Sequence, residues 1–312
     1  MKSSELLNIP MRLLNIDANS GRVHVALFVT MMVWGVNLTA VKVLTQSLDV
    51  LLVALLRMVL ATVVLVLLWL RGGYSWPRWH GNILWLGAGS AFFLVYLQQI
   101  IFAEGLARTS ATNAALIMSL GPMVSVLLEA AVFRRQVQMC QAAGIALALL
   151  GVALVILSRP GAQLTAAALG DLLFFASVLS FASGGVMMQL LARHVPMLTI
   201  GVFVHAVGAS MLLLHASMVV HSPVQAIAGM TGFSWSLVLF SAVLATGLGS
   251  AVWARGIKVL GVGHTASYLS WVPVFGVAFG VIFMGEELTT MHIIGGIFVI
   301  VGATLVARSK PH

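Results

Sequence analysis

The sequence predicts an all-α integral membrane protein with ten transmembrane helices, arranged as two five-helix repeats inserted upside down relative to each other. Three observations predict this fold class. Hydrophobic residues make up 61% of the chain and charged residues only 8%, whereas soluble domains carry about 25% charged residues. Ten apolar stretches approach the roughly 20 residues that a helix needs to cross a bilayer. A shift of 151 positions superposes two long parts of the chain.

The ten apolar stretches are separated mostly by short polar segments, so consecutive helices are expected to be antiparallel neighbours. None of the segments between them is long or polar enough to form a separate soluble domain. The predicted helices are Val23–Thr45, Val50–Leu70, Ile83–Phe102, Ser110–Phe133, Gln138–Leu157, Leu169–Ala192, Leu198–Val220, Trp235–Arg255, Gly263–Met284 and Met291–Ala307.

The internal repeat runs from about Phe102 to Pro160 and again from about Trp253 to Pro311. A gap-free match of this length indicates an internal repeat rather than chance composition. Each copy has an apolar helix with a central proline, a short turn and a second apolar helix containing glycines. Pairs that coincide under the shift include Ala103 and Ala254, Gly105 and Gly256, Ser119 and Ser270, Pro122 and Pro273, Gly144 and Gly295, and Gly151 and Gly302.

The charges of the loops predict the orientation of the helices. The turn of the first repeat carries Arg134-Arg135, and the equivalent turn of the second carries Gly285-Glu286-Glu287. With both termini inside, twelve Lys and Arg lie in inner segments and two in outer loops. Basic residues concentrate on the cytoplasmic side. The sequence therefore predicts cytoplasmic termini and two inverted halves, an architecture of many secondary transporters.

The predicted domains follow from this topology. Residues 1–22 form a cytoplasmic N-terminal segment, 23–157 the first five-helix repeat, 158–168 an outer linker and 169–308 the second repeat. The basic residues sit singly or in pairs at helix ends, so they do not indicate a nucleic-acid partner. No metal-site spacing and no ATP-binding motif is visible, so neither a metal nor another cofactor is expected.

Several short motifs together resemble the drug/metabolite transporter superfamily, of the EamA type. Trp34-Gly35-Val36-Asn37, followed by Lys42, is similar to that family's first-helix motif. The proline segments ending at Pro122 and Pro273 and the Gly285-Glu286 turn are also similar. The chain departs from the family pattern at Arg134-Arg135 and at Phe181-Ala-Ser-Gly184, where a Gly-Glu turn and a Trp-Gly-x-Asn motif are usual.

The resemblance implies an exporter of small metabolites, especially amino acids or related compounds, in the inner (plasma) membrane of a bacterium. It would work by alternating access on a small-molecule substrate within the lipid bilayer, with or without proton coupling, as a monomer or a homodimer. Export of drug-like or aromatic cationic compounds is the alternative. A membrane enzyme or a scaffold without transport is a further one, but no acid or histidine cluster near an interface favours an enzyme.

The two central prolines mark the predicted substrate site. A proline within a helix removes one backbone hydrogen bond and frees a carbonyl four residues earlier, and broken helices near the midplane hold substrates in transporters. Met118, Ser119 and Trp271 lie next to the kinks at Pro122 and Pro273. A kink that only improves packing is the alternative interpretation.

Three charged residues of the predicted helices have candidate roles. Arg57 is a candidate for binding a carboxylate, because its planar guanidinium matches that geometry. Glu129 is a candidate proton or ammonium site, or it pairs with Arg134 at the inner interface. Lys42 is expected to anchor the first helix at the outer interface.

Polar and aromatic side chains complete the predicted site. Of the adjacent Gln98 and Gln99, one is expected to reach the pathway and the other to bond a neighbouring helix. His205 either joins the site or bonds a neighbouring helix. Glycines of the fifth and tenth helices predict close helix contacts or a dimer face. The polar and aromatic candidates for substrate binding are Trp34, Asn37, Tyr96, Gln99, His205, Tyr268 and Trp271.

Overall fold

The structure is a computed structural model that describes residues 20–77, 79–134, 136–157, 166–260, 265 and 268–308. Residues 1–19, Arg135, His264 and 158–165 of the predicted linker lie outside the described residues. All regular secondary structure in the described part of the chain is helical.

Within the described ranges, ten main helices follow the order that the sequence predicts. The first five are α1 (Ser20–Ser47), α2 (Val50–Arg71), α3 (Gly81–Arg108), α4 (Ala111–Phe133) and α5 (Met139–Leu157). The second five are α6 (Ala166–Leu191), α7 (Met197–Val219), α8 (232–260), α9 (Tyr268–Met284) and α10 (Thr290–Arg308). A short helix, Pro223–Ala228, lies between α7 and α8.

The all-helical membrane fold is confirmed. Within the described ranges, eight helices are long and apolar enough to cross a membrane, and Tyr268–Met284 and Thr290–Val306 are shorter apolar helices. The third helix extends beyond its predicted end at Phe102, because residues 103–108 continue the same helix. The number of crossings and their orientation stay predictions.

Helix ends reflect local sequence. The Asp49 carboxylate accepts from the Leu51 N–H at 2.8 Å and so caps the start of α2, and Ser110 caps α4 in the same manner. Such caps satisfy N–H groups that lack a partner within the helix. Helices α4 and α9 both end with a left-handed residue, Arg134 at φ 53° and Gly285 at φ 65°. These two positions coincide under the 151-residue shift.

Among the described helices, two contain a π-helical segment. It spans Phe92–Leu97 in α3 and Phe240–Leu248 in α8. The two segments end at positions related by the same shift of 151 residues, so the repeat extends further towards the N-terminus than the sequence match alone indicates. A π segment widens the helix locally and is common at functional sites.

Helical geometry is interrupted next to both central prolines, where the sequence predicts kinks. Helix α4 consists of Ala111–Met118 and Gly121–Phe133, with Pro122 in the first turn of the second part. Helix α9 begins with a 3₁₀ turn at Tyr268–Ser270. A proline in a first turn costs little, because its missing N–H would have no helical partner there.

Eight helices form a ring in which each packs against the next, in the order α1, α8, α2, α7, α3, α6, α4 and α9. Helices α5 and α10 pack against each other beside α4 and α9. Their glycines make the predicted close contact: a Cβ on Gly144 would lie 2.6 Å from Gly302 O, and one on Gly151 would lie 2.6 Å from Gly295 O. Because the pairing runs in opposite chain directions, α5 and α10 are antiparallel.

The two ends of the ring are packed differently. We refer to the end where α1 stops and α2 starts as the Asp49 end, and to the other as the Arg71 end. At the Asp49 end, the second part of α3, Gln98–Arg108, packs against α1, α2 and α6. At the Arg71 end, the equivalent part of α8, Gly249–Leu260, packs mainly against α1.

Candidate functional site

A buried arginine stands at the centre of a polar cluster inside the ring. Arg57 of α2 is 2% exposed. Its Nε donates to Ser241 Oγ of α8 at 2.5 Å, and its Nη1 donates to Gln99 Oε1 of α3 at 3.0 Å. Its guanidinium carbon lies 5.7 Å from the centre of the Phe102 ring. These partners are all neutral, so Arg57 has no ion-pair partner among the described residues.

The cluster continues through neutral side chains in both directions. Ser241 Oγ donates to Asn37 Oδ1 of α1 at 2.5 Å, and Gln99 Nε2 donates to Gln98 Oε1 at 2.7 Å. We refer to Asn37, Arg57, Gln98, Gln99 and Ser241 as the Arg57 cluster. It joins four helices, α1, α2, α3 and α8, and it brings together the predicted residues Asn37, Arg57 and Gln99.

The two π segments position this cluster. Gln98 directly follows the π segment of α3, and Ser241 lies within the π segment of α8. Trp34 lies beside the π segment of α8, because its indole nitrogen donates to Ala245 O of that segment at 2.8 Å. Each π segment therefore aims polar groups towards the buried guanidinium.

Two other predicted site residues bond to groups outside the Arg57 cluster. The Tyr96 hydroxyl lies 3.1 Å from Nδ1 of His215 on α7. His205 is buried on α7, and its Nδ1 lies 2.9 Å from Gly201 O of its own helix. Their roles in binding stay predictions.

The predicted aromatic residues of α9 lie near the start of α1 at the Arg71 end. The Tyr268 hydroxyl is 2.5 Å from His24 Nδ1. Trp271 is 45% exposed and contacts Phe28 edge to face, with ring centres 5.2 Å apart. The structure thus places these residues apart from the Arg57 cluster.

The residues around the central prolines are divided between core and surroundings. Ser119 is buried and its hydroxyl donates to Leu116 O of its own helix, while Met118 packs against the hydrophobic core. Pro273 is buried and Pro122 is half-buried. Glu129 is half-buried in the second part of α4, and its predicted role is untested.

A second polar cluster lies at the Asp49 end. The Lys42 ammonium donates to Leu106 O at 3.2 Å and to Thr109 O. Asp171 of α6 accepts from the Thr109 hydroxyl. The Glu286 carboxylate accepts from the N–H groups at the start of α4, from Ala111 at 2.6 Å among them. Lys42 therefore crosses to the end of α3 in addition to lying near the end of its own helix.

Two other features of the described residues leave the Arg57 cluster as the candidate site. The described residues contain no group of three or more His, Cys, Asp or Glu able to hold a metal ion. A shallow depression of about 390 Å³ lies along one face of α7 and is lined by Ala206, Val207, Ser210, Met211 and Leu214. It includes none of the predicted site residues.

Ser241 is the member of the Arg57 cluster that sequence reasoning missed. Serine is common in membrane helices, where it bonds its own backbone or a neighbouring helix, so it draws no attention alone. A usable signal was present, because Ser241 coincides with Ser90 under the 151-residue shift. The recognised repeat began only at Phe102, and this pair lies upstream of it.

Comparisons with known proteins agree with the helical membrane fold. The model of the EamA-like transporter family matches residues 22–157 and 168–308. The uncharacterized transporter YetK of Bacillus subtilis (strain 168) is 27% identical over 296 residues, covering 92% of this chain and 88% of the relative. A solved crystal structure superposes with a TM-score of 0.65 at 18% identity, covering 91% of this chain and 96% of the other.

Two further relatives have names that include a substrate. A probable amino-acid metabolite efflux pump of Salmonella typhimurium (strain LT2) is 26% identical, covering 86% of this chain and 89% of the relative. A probable terminal-alkyne amino-acid exporter of Streptantibioticus cattleyicolor is 24% identical, covering 91% of this chain and 92% of the relative. The family match spans both halves of the chain, so this multi-pass membrane protein belongs to the EamA-like transporter family and is a transporter rather than an enzyme.

Proposed function

We propose that this protein is a secondary transporter that exports small carboxylate-bearing metabolites, amino acids or related compounds, across the inner membrane by alternating access. The observation that carries the proposal is the buried guanidinium of Arg57, which only neutral partners contact among the described residues. Burying an unpaired charge in a membrane protein is costly, and such residues mark substrate or ion pathways.

The geometry of Arg57 suits a carboxylate. Hydrogen bonds to the described residues occupy its Nε and one Nη1 hydrogen. The Nη2 group and the second Nη1 hydrogen remain for an anion, and a guanidinium binds a carboxylate through two parallel hydrogen bonds. A buried positive charge repels cations, so the cluster does not favour cationic drug-like substrates.

The relatives support the substrate class. Two of them are named for amino-acid metabolites or an amino acid, and every amino acid carries a carboxylate. The identities of 26% and 24% leave room for a different side chain or amine group. The carboxylate is the group that these compounds share, and it is the part of the substrate that binds Arg57.

The packing of the two halves supports alternating access. The π segments and the left-handed helix ends occur at equivalent positions in both halves. In addition, Gly144 faces Gly302 while the equivalent pair, Gly295 and Gly151, face each other. This reciprocal antiparallel pairing is what a two-fold axis in the membrane plane produces. We assign the closely packed Asp49 end to the outside, following the loop charges.

Cysteine labelling tests this orientation. A cysteine at Glu287 is expected to react with an impermeant maleimide added to intact cells, while a cysteine at Gln136 reacts only after permeabilisation. Both positions are exposed turn residues, so accessibility does not differ for local reasons. Labelling of both positions from the same side contradicts inverted halves.

Transport by purified protein in liposomes tests the function. We expect counterflow of radiolabelled amino acids or their carboxylate derivatives, and we expect Arg57→Gln to slow it by about tenfold to a hundredfold, because a hydrogen-bonded charged contact contributes about 1.5–3 kcal/mol. Arg71→Gln is the matched control, since Arg71 is exposed at the end of the same helix. If Arg57→Gln and Arg71→Gln transport equally well, Arg57 does not bind the substrate.

Proton coupling is tested in the same liposomes. A pH gradient is imposed so that the compartment receiving the exported substrate is the more acidic one. If the transporter exchanges protons for substrate, this gradient is expected to drive substrate into that compartment against its own concentration gradient. Glu129→Gln is the variant that examines the predicted proton or ammonium site. Unchanged uphill transport by that variant removes Glu129 from the coupling step.

A further inference from the structure

The Arg57 cluster carries one positive charge and no negative charge among the described residues. Its other members are two amides of glutamine, one amide of asparagine and one hydroxyl, and the adjacent Phe102 is apolar. A ligand whose charge matches this environment is a monoanion. A second charge on the ligand would have to find its partner elsewhere.

Four acidic side chains of the described residues are bonded to groups outside the Arg57 cluster. Asp49 caps α2, Glu104 pairs with Arg108, and Glu286 caps α4. Asp171 accepts from Thr109 at the Asp49 end. An ammonium group placed beside a carboxylate on Arg57 would therefore meet amide and hydroxyl oxygens, not a carboxylate.

Burying an ammonium without a carboxylate is unfavourable, because the lost hydration is not replaced by an opposite charge. Resting on the proposed function, we propose that the Arg57 cluster selects amino-acid derivatives that keep the carboxylate but lack the ammonium, such as N-acyl amino acids and 2-oxo acids, over zwitterionic amino acids. The carboxylate binds Arg57, and the amide or keto oxygen accepts from the amide N–H groups of Gln98 or Asn37.

The aromatic neighbour fits the same class. Phe102 contacts the guanidinium of Arg57 at 5.7 Å and is itself 6% exposed. A cation–π contact with a ring stabilises the guanidinium without neutralising its charge. The site therefore keeps its positive charge available to an anion.

A matched set of leucine derivatives tests the proposal. L-Leucine, N-acetyl-L-leucine, 4-methyl-2-oxopentanoate and 3-methylbutylamine share one apolar chain and differ in charge. We expect each monoanion to bind the purified transporter at least about tenfold more tightly than leucine, with no binding of the amine. Binding is measured at pH 7 by calorimetry and by inhibition of counterflow in liposomes.

A single charge added to the cluster is expected to reverse this preference. Gln98→Glu places a carboxylate in the cluster with almost no change in side-chain size. The new carboxylate can keep the hydrogen bond from Gln99, because Gln98 Oε1 is already the acceptor of that bond. We expect the variant to bind leucine at least as tightly as N-acetyl-leucine. Gln225→Glu, on the exposed short helix, is the control and keeps the original preference.

The outcomes separate this inference from the proposed function. If leucine binds as tightly as or more tightly than both monoanions and Arg57→Gln removes its binding, the inference is overturned and carboxylate export stands. If none of the carboxylates binds and Arg57→Gln changes nothing, the proposed function fails and the inference falls with it. Monoanion preference that Arg57→Gln abolishes supports both.

Discussion

The π segments of α3 and α8 end at equivalent positions but have different side chains around them. The segment of α3 is followed by Gln98 and Gln99, and the segment of α8 by Gly249 and Ser250. At Gly249 a Cβ would lie 2.7 Å from the Trp34 indole nitrogen, so glycine there makes room for an aromatic ring. The repeat thus preserves the helix distortion in both halves and keeps the amide side chains in only one.

The serines of the two π regions show the same contrast. Ser241 donates to the side chain of Asn37 on α1, whereas the equivalent Ser90 lies 3.4 Å from the backbone carbonyl of Gly184 on α6. A Cβ on Gly184 would come within 2.7 Å of Leu94 Cβ, so α6 packs directly on the π segment of α3. In the second half the serine joins a hydrogen-bonded polar cluster, whereas in the first half the equivalent serine lies where two helices pack closely.

Helix α7 completes the comparison. Arg57 is the eighth residue of α2, and the eighth residue of α7 is the fully buried Val204. A second buried guanidinium would add a desolvation cost of several kcal/mol without binding a second carboxylate of the same substrate. The two halves therefore share a backbone plan, whereas the proposed binding chemistry of Arg57 is not repeated at Val204.

The largest expected effect concerns the two equivalent serines. Ser241→Ala removes a hydrogen bond to the charged Arg57, which contributes about 1.5–3 kcal/mol, so transport should fall about tenfold to a hundredfold. Ser90→Ala removes a long bond to a backbone carbonyl, and transport should stay within about twofold. Rates are measured by counterflow at equal reconstituted protein. Equal losses in the two variants would show that the halves are chemically equivalent.

The contact between α5 and α10 tests the part of the repeat that is conserved in both halves. A Cβ on Gly302 would lie 2.4 Å from Gly144 O, a backbone atom that cannot move alone. We expect Gly302→Ala to lower the free energy of unfolding in micelles by about 1–3 kcal/mol. Gly296→Ala is the control on the same helix, because its nearest neighbour is 3.7 Å away. Equal stability of both variants contradicts this packing.

The sequence predicted the backbone of the fold better than the site. Hydropathy identified the helix order, and the glycines of the fifth and tenth helices predicted close helix contacts without indicating the partner helix, because apolar length and small residues are local signals. The π segments gave no such signal, since an extra residue in a helical turn depends on what packs against it. Arg57 was identified because a charge inside an apolar helix is conspicuous, and Ser241 was missed because a serine there is not.

The aromatic residues show the same limit. The sequence predicts Trp271 beside the proline kink and Tyr268 among the aromatic residues of the same site, yet their contacts are with Phe28 and His24 near the start of α1. The direction in which a helical residue points is set by the rotation of the helix against its neighbours. A single sequence does not determine that rotation. It therefore predicts how far along a helix a residue lies, but not which neighbouring helix its side chain faces.

Adjacent glycines of α6 give a smaller, sharper test of the packed π region. Gly184→Ala would place its Cβ 2.8 Å from the Leu94 backbone nitrogen, whereas Gly185→Ala meets nothing within 4 Å. We expect Gly184→Ala to destabilise the protein by about 1–2 kcal/mol and Gly185→Ala to be neutral. Melting in detergent followed by circular dichroism measures both. A loss in Gly185→Ala alone would mean that α6 presents its other face to α3.

The smallest expected effect concerns the turns that differ in charge. Glu286 accepts from the Ala111 and Thr112 N–H groups at 2.6 and 2.8 Å, so its carboxylate stabilises the positive end of α4. The first half has Arg135 at the equivalent sequence position, and a cation cannot accept hydrogen bonds from a helix N-terminus. The Asp49 end should therefore hold its turn and helix together by a contact that the other end cannot form.

Glu286→Gln keeps one oxygen acceptor but removes the charge, and we expect it to lower the unfolding free energy by about 0.5–1 kcal/mol. Glu287→Gln is the matched control, because Glu287 follows directly in the same exposed turn. The free energy is measured in micelles at low salt, where the effect of charge is largest. Since the contact lies at the Asp49 end only, its loss should also make a cysteine introduced at Thr112 react faster with a maleimide from that side. Unchanged stability and unchanged labelling in Glu286→Gln would mean that the charge of this turn does not hold the Asp49 end closed.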